Sequence, residues 1–108
     1  MSLEHLLKKQ TEQKLQSKVI KFLNQEGFYC IKIIASNTRG TPDLICLKKG
    51  KFIAIELKKD SYAKEHNFTK LQEYNANKIK ENGGYFYLVY DLDILKEELK
   101  KLNLLNIV

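Results

Sequence analysis

The stretch Gly40-Thr41-Pro42-Asp43-Leu44-Ile45-Cys46-Leu47-Lys48-Lys49-Gly50-Lys51-Phe52-Ile53-Ala54-Ile55-Glu56-Leu57-Lys58 decides how the rest of the chain is read. Two apolar, partly β-branched runs flank Lys49-Gly50, a glycine-containing turn signal, and the pattern predicts a β-hairpin. With Lys49-Gly50 as a two-residue loop, Lys48 pairs with Lys51. Counting outward in equal steps, Asp43 then pairs with Glu56. A four-residue loop over Lys48–Lys51 keeps this register, whereas a three-residue loop would move one acid to the other face.

Directly opposed side chains have Cβ atoms about 4.5–5.5 Å apart, and like charges there repel. A divalent cation between them turns repulsion into attraction and prefers hard oxygen ligands. Lys58 stands two residues beyond Glu56 and therefore projects from the same face of a strand, while Ile53, Ile55 and Leu57 point the other way into a core. The spacing is equally compatible with a solvated edge hairpin whose acids pair with nearby lysines.

Upstream, Ser2 to Glu26 is helical in pattern: Leu15, Val19, Phe22 and Leu23 recur at three- and four-residue steps, and Gly27 supplies a stop. Glu12 lies three residues before Leu15, at the end of the apolar stripe. From there it can reach the polar edge of the core as a further metal ligand or water acceptor, or remain a surface acid beside Lys8 or Gln16. Phe28–Ala35 (FYCIKIIA) is predicted as a strand, with Lys32 facing either the acids or solvent. Ser36–Gly40 is a polar turn. Arg39 within it is placed to fork onto phosphate oxygens, or to be solvated.

Downstream, Lys59–Asn67 is polar and charged without periodicity, and reads as a mobile loop beside the acids that offers Lys59 and Lys64 to a substrate. Its His66 reads as an idle surface side chain. Thr69-Lys70-Leu71-Gln72 has capping-box spacing and opens a helix that ends at Asn82-Gly83-Gly84; the capping role by itself accounts for Gln72. Tyr85–Tyr90 (YFYLVY) is a strand by its aromatic and β-branched content. Asp91 caps a last helix with Leu92, Leu95, Leu99 and Leu102 as its stripe. Leu104, Leu105, Ile107 and Val108 then leave an apolar tail, which either offers a partner surface or folds back onto its own domain.

The 108 residues, 44% hydrophobic, are enough for one domain, residues 1–108. No run is long and apolar enough to span a membrane, and there is no signal-peptide segment, so a soluble intracellular, cytoplasmic protein is expected. The net charge of +6 suits a polyanionic partner, as does any basic surface. Cys30 and Cys46 fall in apolar runs with no metal-ligand spacing, which suits packing in a reducing compartment.

Pro42-Asp43 followed by Glu56-Leu57-Lys58 resembles the PD-(D/E)xK signature of the nuclease superfamily that includes restriction enzymes and archaeal Holliday junction resolvases. The longer string, Gly40-x-Pro42-Asp43-Leu44 and then Ile55-Glu56-x-Lys58, most resembles its VRR-NUC branch. A Glu-bearing helix before the motif and a Thr-x-x-Gln helix start after it follow the family's order, so the resemblance spans Thr11 to Tyr90. It implies an α/β, restriction-endonuclease-like fold, a mixed central sheet flanked by helices in the order α-β-β-β-α-β-α.

The resemblance also implies a function: a Mg²⁺-dependent endodeoxyribonuclease, with Mn²⁺ as substitute and no small-molecule cofactor. Asp43 and Glu56 would hold the ion with the Leu57 backbone carbonyl, Glu12 would complete the ligand set, Lys58 would act on the water or the developing charge, and Gln72 would stand nearby. Arg39, Lys32, Lys59 and Lys64 are the candidate DNA contacts. Branched DNA as substrate, a homodimer carrying two sites, and a bacterial or phage source belong to the same implication. Two other classes stay open. One is a non-catalytic basic module that binds nucleic acid, and the other is a nuclease subunit active only in a larger complex.

Overall fold

The structure, a computed structural model, describes residues 3–106, with side chains from Glu12 onward. Its elements are α1 (Leu3–Gln25), β1 (Tyr29–Lys32), β2 (Leu44–Lys48), β3 (Lys51–Leu57), α2 (Ser61–His66), α3 (Lys70–Glu81), β4 (Tyr85–Val89) and α4 (Leu92–Lys101). The strands form a single sheet in the order β1-β2-β3-β4, antiparallel at the first two junctions and parallel at the third. This is the expected mixed sheet flanked by helices, with one short helix added to the expected order.

The hairpin has the two-residue register. Lys48 pairs with Lys51 and Leu44 with Ile55. Lys49 and Gly50 both have positive φ (51° and 78°), as a type I′ turn requires. Because alternate residues face opposite sides, Leu44, Cys46, Ile53, Ile55 and Leu57 lie on one face, where Val19 and Leu23 of α1 and Leu95 and Leu99 of α4 complete the core. Ala54 and Glu56 point to the other face, against α3. β3 is therefore buried on both sides from Ile53 to Leu57, as a central strand in a three-layer arrangement must be.

Three of the helices end in the same way. Phe28 N–H reaches Leu23 O (2.9 Å) and Gly27 N–H reaches Asn24 O (3.1 Å), a Schellman ending with Gly27 at φ 82°. Gly84 and Gly83 repeat the pattern on Ile79 and Lys80 at the end of α3. At the end of α4 the left-handed residue is Asn103 (φ 56°), with Leu104 N–H on Leu99 O (3.1 Å).

That last ending decides between the two readings of the apolar tail, against a partner surface and for folding back onto the domain. The turn at Asn103 sends the chain back, so Leu104 is 2% exposed in the core and Leu105 packs against it. The Lys48 ammonium fastens the return by donating to the carbonyls of Glu26 and Leu104 and to Asn106 Oδ1 (3.0 Å). Ile107 and Val108 lie outside the described residues.

Two further boundaries differ from the sequence reading. Strand β1 stops at Lys32 rather than Ala35; one more bond, Ile33 N–H to Asp43 O (2.9 Å), follows it, and Ile34 is 89% exposed. The segment read as a loop over 59–67 contains α2, because Asp60 caps it (Oδ1 accepting from Ala63 N–H, 2.8 Å) and Asn67 N–H closes it on Ala63 O (2.8 Å). Only Ala63 is buried in it, so the apolar periodicity that marks a longer helix is missing. Cys30 and Cys46 are free thiols on opposed positions of β1 and β2. Cys46 is fully buried, and its thiol pKa is raised by the hydrogen bond with Cys30 and by burial.

Candidate active site

Asp43 and Glu56 stand one step beyond the last paired residues of the hairpin, Leu44 and Ile55, and Glu56 meets α3 through Gln72. Asp43 Oδ2 accepts the Leu57 N–H at 2.8 Å, so the carboxylate clasps the peptide that joins Glu56 to Leu57. Glu56 is only 5% exposed; its Oε2 accepts from Gln72 Nε2 (3.0 Å) and lies 3.6 Å from Lys58 Nζ. The Lys58 ammonium, 7% exposed, also donates to Asn67 O (2.9 Å) and Gln72 Oε1 (3.3 Å). The hairpin register and the two-residue offset thus bring Asp43, Glu56 and Lys58 together.

Gln72 does more than cap. Thr69 Oγ1 accepts from Gln72 N–H (3.1 Å), and Gln72 Oε1 accepts from Thr69 N–H (3.0 Å), which makes the reciprocal box. The same amide uses its Nε2 for Glu56 and shares its oxygen with Lys58. One side chain therefore closes the first turn of α3 and holds both charged groups of the site.

The loop that delivers Asp43 is held just as closely. Gly40 has φ 76°, and a Cβ there would come within 2.7 Å of the Leu71 backbone carbon, so only glycine lets this loop lie against α3. Asn75 Nδ2 donates to Arg39 O at 2.8 Å beside it. The glycine of the motif has a packing reason as well as a conformational one.

Burial and the neighbouring Asp43 carboxylate push the Glu56 carboxyl up to about 7, against the opposing pull of the Lys58 ammonium. Asp43 and Leu57 line a hollow of about 210 Å³ whose α1 wall is Glu12, Gln13 and Gln16. Larger hollows, such as one of about 520 Å³ between α1 and α4, lie away from these groups. Among the described residues no three His, Cys, Asp or Glu side chains gather closely enough to hold a metal by themselves. Glu12, exposed, thus shares a hollow with Asp43 but does not join the two acids in a ligand cluster. Two carboxylates and a nearby carbonyl still suit Mg²⁺, which retains several waters and takes few protein ligands.

The basic residues are more dispersed. Arg39 is exposed on the loop pinned by Asn75. Lys59 pairs with Asp60 (3.8 Å), and Lys64 Nζ sits 5.5 Å from the Tyr90 ring centroid. Lys32 pairs in register with Leu44 and so falls on the core face, opposite Glu56. Asn67 and Gln13 carry no site role in the sequence analysis, and Gln16 enters it only as a surface neighbour of Glu12. Gln16 lies four residues after Glu12, a spacing that marks one helix face, whereas the Asn67 carbonyl has no sequence signal.

The sequence matches the family model described as archaeal Holliday junction resolvase over residues 8–102. No curated protein matches it. Among solved structures, one described as a VRR_NUC domain superposes with a TM-score of 0.71 at 19% identity, covering 83% of this chain and 95% of its own. That likeness is one of fold.

Proposed function

The chain belongs to the archaeal Holliday junction resolvase family, and from that premise we propose that it is a single nuclease domain that hydrolyses phosphodiester bonds of branched DNA with the help of Mg²⁺. The observation that carries the reading is the buried Lys58 ammonium, 3.6 Å from the Glu56 carboxylate and held by Gln72 and Asn67. A buried lysine with three oxygen partners contributes little to the core, but it is a pre-oriented positive charge where a phosphate would enter. Asp43, Glu56 and the Leu57 carbonyl are the groups that would hold Mg²⁺, or Mn²⁺ in its place. When bound, such an ion polarises the phosphate and lowers the pKa of water.

The chain's own residues do the rest. Lys58 exchanges one of its oxygen partners for a non-bridging phosphate oxygen and offsets the charge that grows there as water attacks phosphorus and the leaving oxygen departs. Gln72 keeps Glu56 and Lys58 in place during that exchange. Glu12, with Gln13 and Gln16 on the far wall of the hollow, accepts hydrogen bonds from water. Arg39, Lys59, Lys64 and, from the other face, Lys32 contact phosphates away from the reacting bond.

The test is cleavage of labelled four-way junction, fork and linear duplex with Mg²⁺ or with chelator. We expect cutting only with the divalent ion, and faster on branched DNA. Mn²⁺ binding without cutting would favour a subunit that needs partners, and DNA binding with neither metal binding nor cutting would favour a non-catalytic module.

A homodimer would supply the two sites that a four-way junction calls for. The surface that favours it is not the C-terminal tail but the face of β1 and β2 that α3 leaves uncovered. Tyr29 (68% exposed), Leu47 (37%) and Phe52 (39%) form one row across three strands, with Ile31 (39%) beside it. A two-fold axis lets that patch cover itself. Leu47→Glu should convert the dimer to a monomer in light scattering and lower paired incision of junctions; an unchanged dimer mass would move the interface elsewhere.

A further inference from the structure

Helix α2 lies directly beside the site and carries an aromatic pair that no part of the fold needs. Tyr62 and His66, one helical turn apart, stack with centroids 3.9 Å apart and planes 18° from parallel. His66 Nδ1 donates to Tyr62 O at 2.8 Å, which sets the imidazole orientation and holds it against the phenol. Tyr62 is nonetheless 66% exposed, so its other ring face meets solvent. An ordered aromatic side chain left in water forgoes the burial that normally stabilises it. A ring pre-ordered in this way loses little further freedom on binding a flat partner.

The placement is set by the site itself. Lys58 precedes α2 by three residues, and its ammonium donates to the carbonyl of Asn67, the residue that closes α2. The helix is thereby fixed to the site at both ends. Its six residues span about 9 Å, a few base-pair steps at about 3.4 Å each. On the same helix Lys64 adds a positive charge near Tyr90.

We propose that the stacked Tyr62–His66 pair is a platform for a base exposed at a DNA branch point, and that it provides selectivity for branched over linear DNA. The inference rests on the nuclease reading above and names the substrate feature that reading leaves open. Bases within a linear duplex are stacked on both sides and offer no face to Tyr62. Where helical arms diverge, a base pair loses a stacking neighbour, and an aromatic ring can replace it, an interaction that accounts for about tenfold in affinity.

The experiment places 2-aminopurine at the branch point of a four-way junction and reads its fluorescence on binding in Ca²⁺, alongside competition between junction and linear duplex. For the wild-type protein we expect quenching and a preference for the junction. Tyr62→Ala should abolish the quenching and lower the junction-to-duplex affinity ratio about tenfold, Tyr62→Phe should restore both, and His66→Ala should fall between. Thermal melting verifies that the exposed substitutions leave the fold intact. Undiminished quenching and selectivity in Tyr62→Ala overturn the platform. A wild-type protein that cuts DNA with Mg²⁺ but does not prefer junctions also overturns it while leaving the nuclease reading intact, whereas absence of any metal-dependent cutting fails the nuclease reading itself.

Discussion

Lys58→Ala is expected to lower the rate of DNA cleavage about 10³-fold, the scale on which a single pre-oriented charge acts on a transition state, while Mn²⁺ binding changes little. The ammonium cannot ligate a cation while protonated. Its positive charge beside Glu56 works against a second cation. Removing it withdraws the group offsetting charge on phosphate but leaves both carboxylates and the Leu57 carbonyl. Calorimetric titration with Mn²⁺, paired with a nicking assay, separates the two quantities. Equal loss of both would mean that Lys58 acts by holding Gln72 and Asn67, and with them the geometry of the site, rather than on the substrate.

The second large effect concerns stability without metal. Glu56 ionises near 4.5 in an ordinary setting and near 7 in the fold, because burial and Asp43 oppose its charge. Between these values the folded state holds a proton that the unfolded state has released. Stability therefore falls as pH rises through this window, by on the order of 3 kcal/mol in total. Glu56→Gln keeps an oxygen acceptor for Gln72 and Lys58 but carries no charge. In chelator at pH 8 it should be more stable than the wild type by up to about that amount, and the two should converge at pH 4.5. Urea unfolding across this range checks the sign. A variant less stable at pH 8 would mean that the Glu56–Lys58 attraction outweighs the burial cost. The same substitution should abolish Mn²⁺ binding and cleavage, so the site's function and the stability of the metal-free fold are opposed at one residue.

Much of the fold was legible in local sequence. Lys49-Gly50 between two apolar runs determines a type I′ turn, and the turn determines the register that sets Asp43 opposite Glu56. Thr69 and Gln72 announce the capping box, and Gly27 and Gly83 announce where helices stop. These features depend on backbone dihedrals and spacings of a few residues, which the sequence carries directly. Asp60 and Asn103 are signals of the same local kind, one a helix cap and the other a left-handed helix ending. Neither stood out beside the charged run around α2, where composition pointed the other way, or the apolar tail after α4, where composition left two readings open.

The tertiary structure decided what local spacing cannot. Gln72 was explained completely by its cap, yet α3 crosses the sheet where the same amide meets Glu56 and Lys58. Glu12 was placed by its helix stripe, but the crossing of α1 over the hairpin sets it across the hollow from Asp43, outside a three-acid cluster. Lys32 is near the acids in sequence and on the opposite face in space, because one residue of register reverses a strand side chain. The raised ionisation of Glu56 likewise follows from α3 closing over it. Which side chains converge, and how deeply water is excluded from them, depends on how the layers pack against one another; no single segment of the chain encodes that.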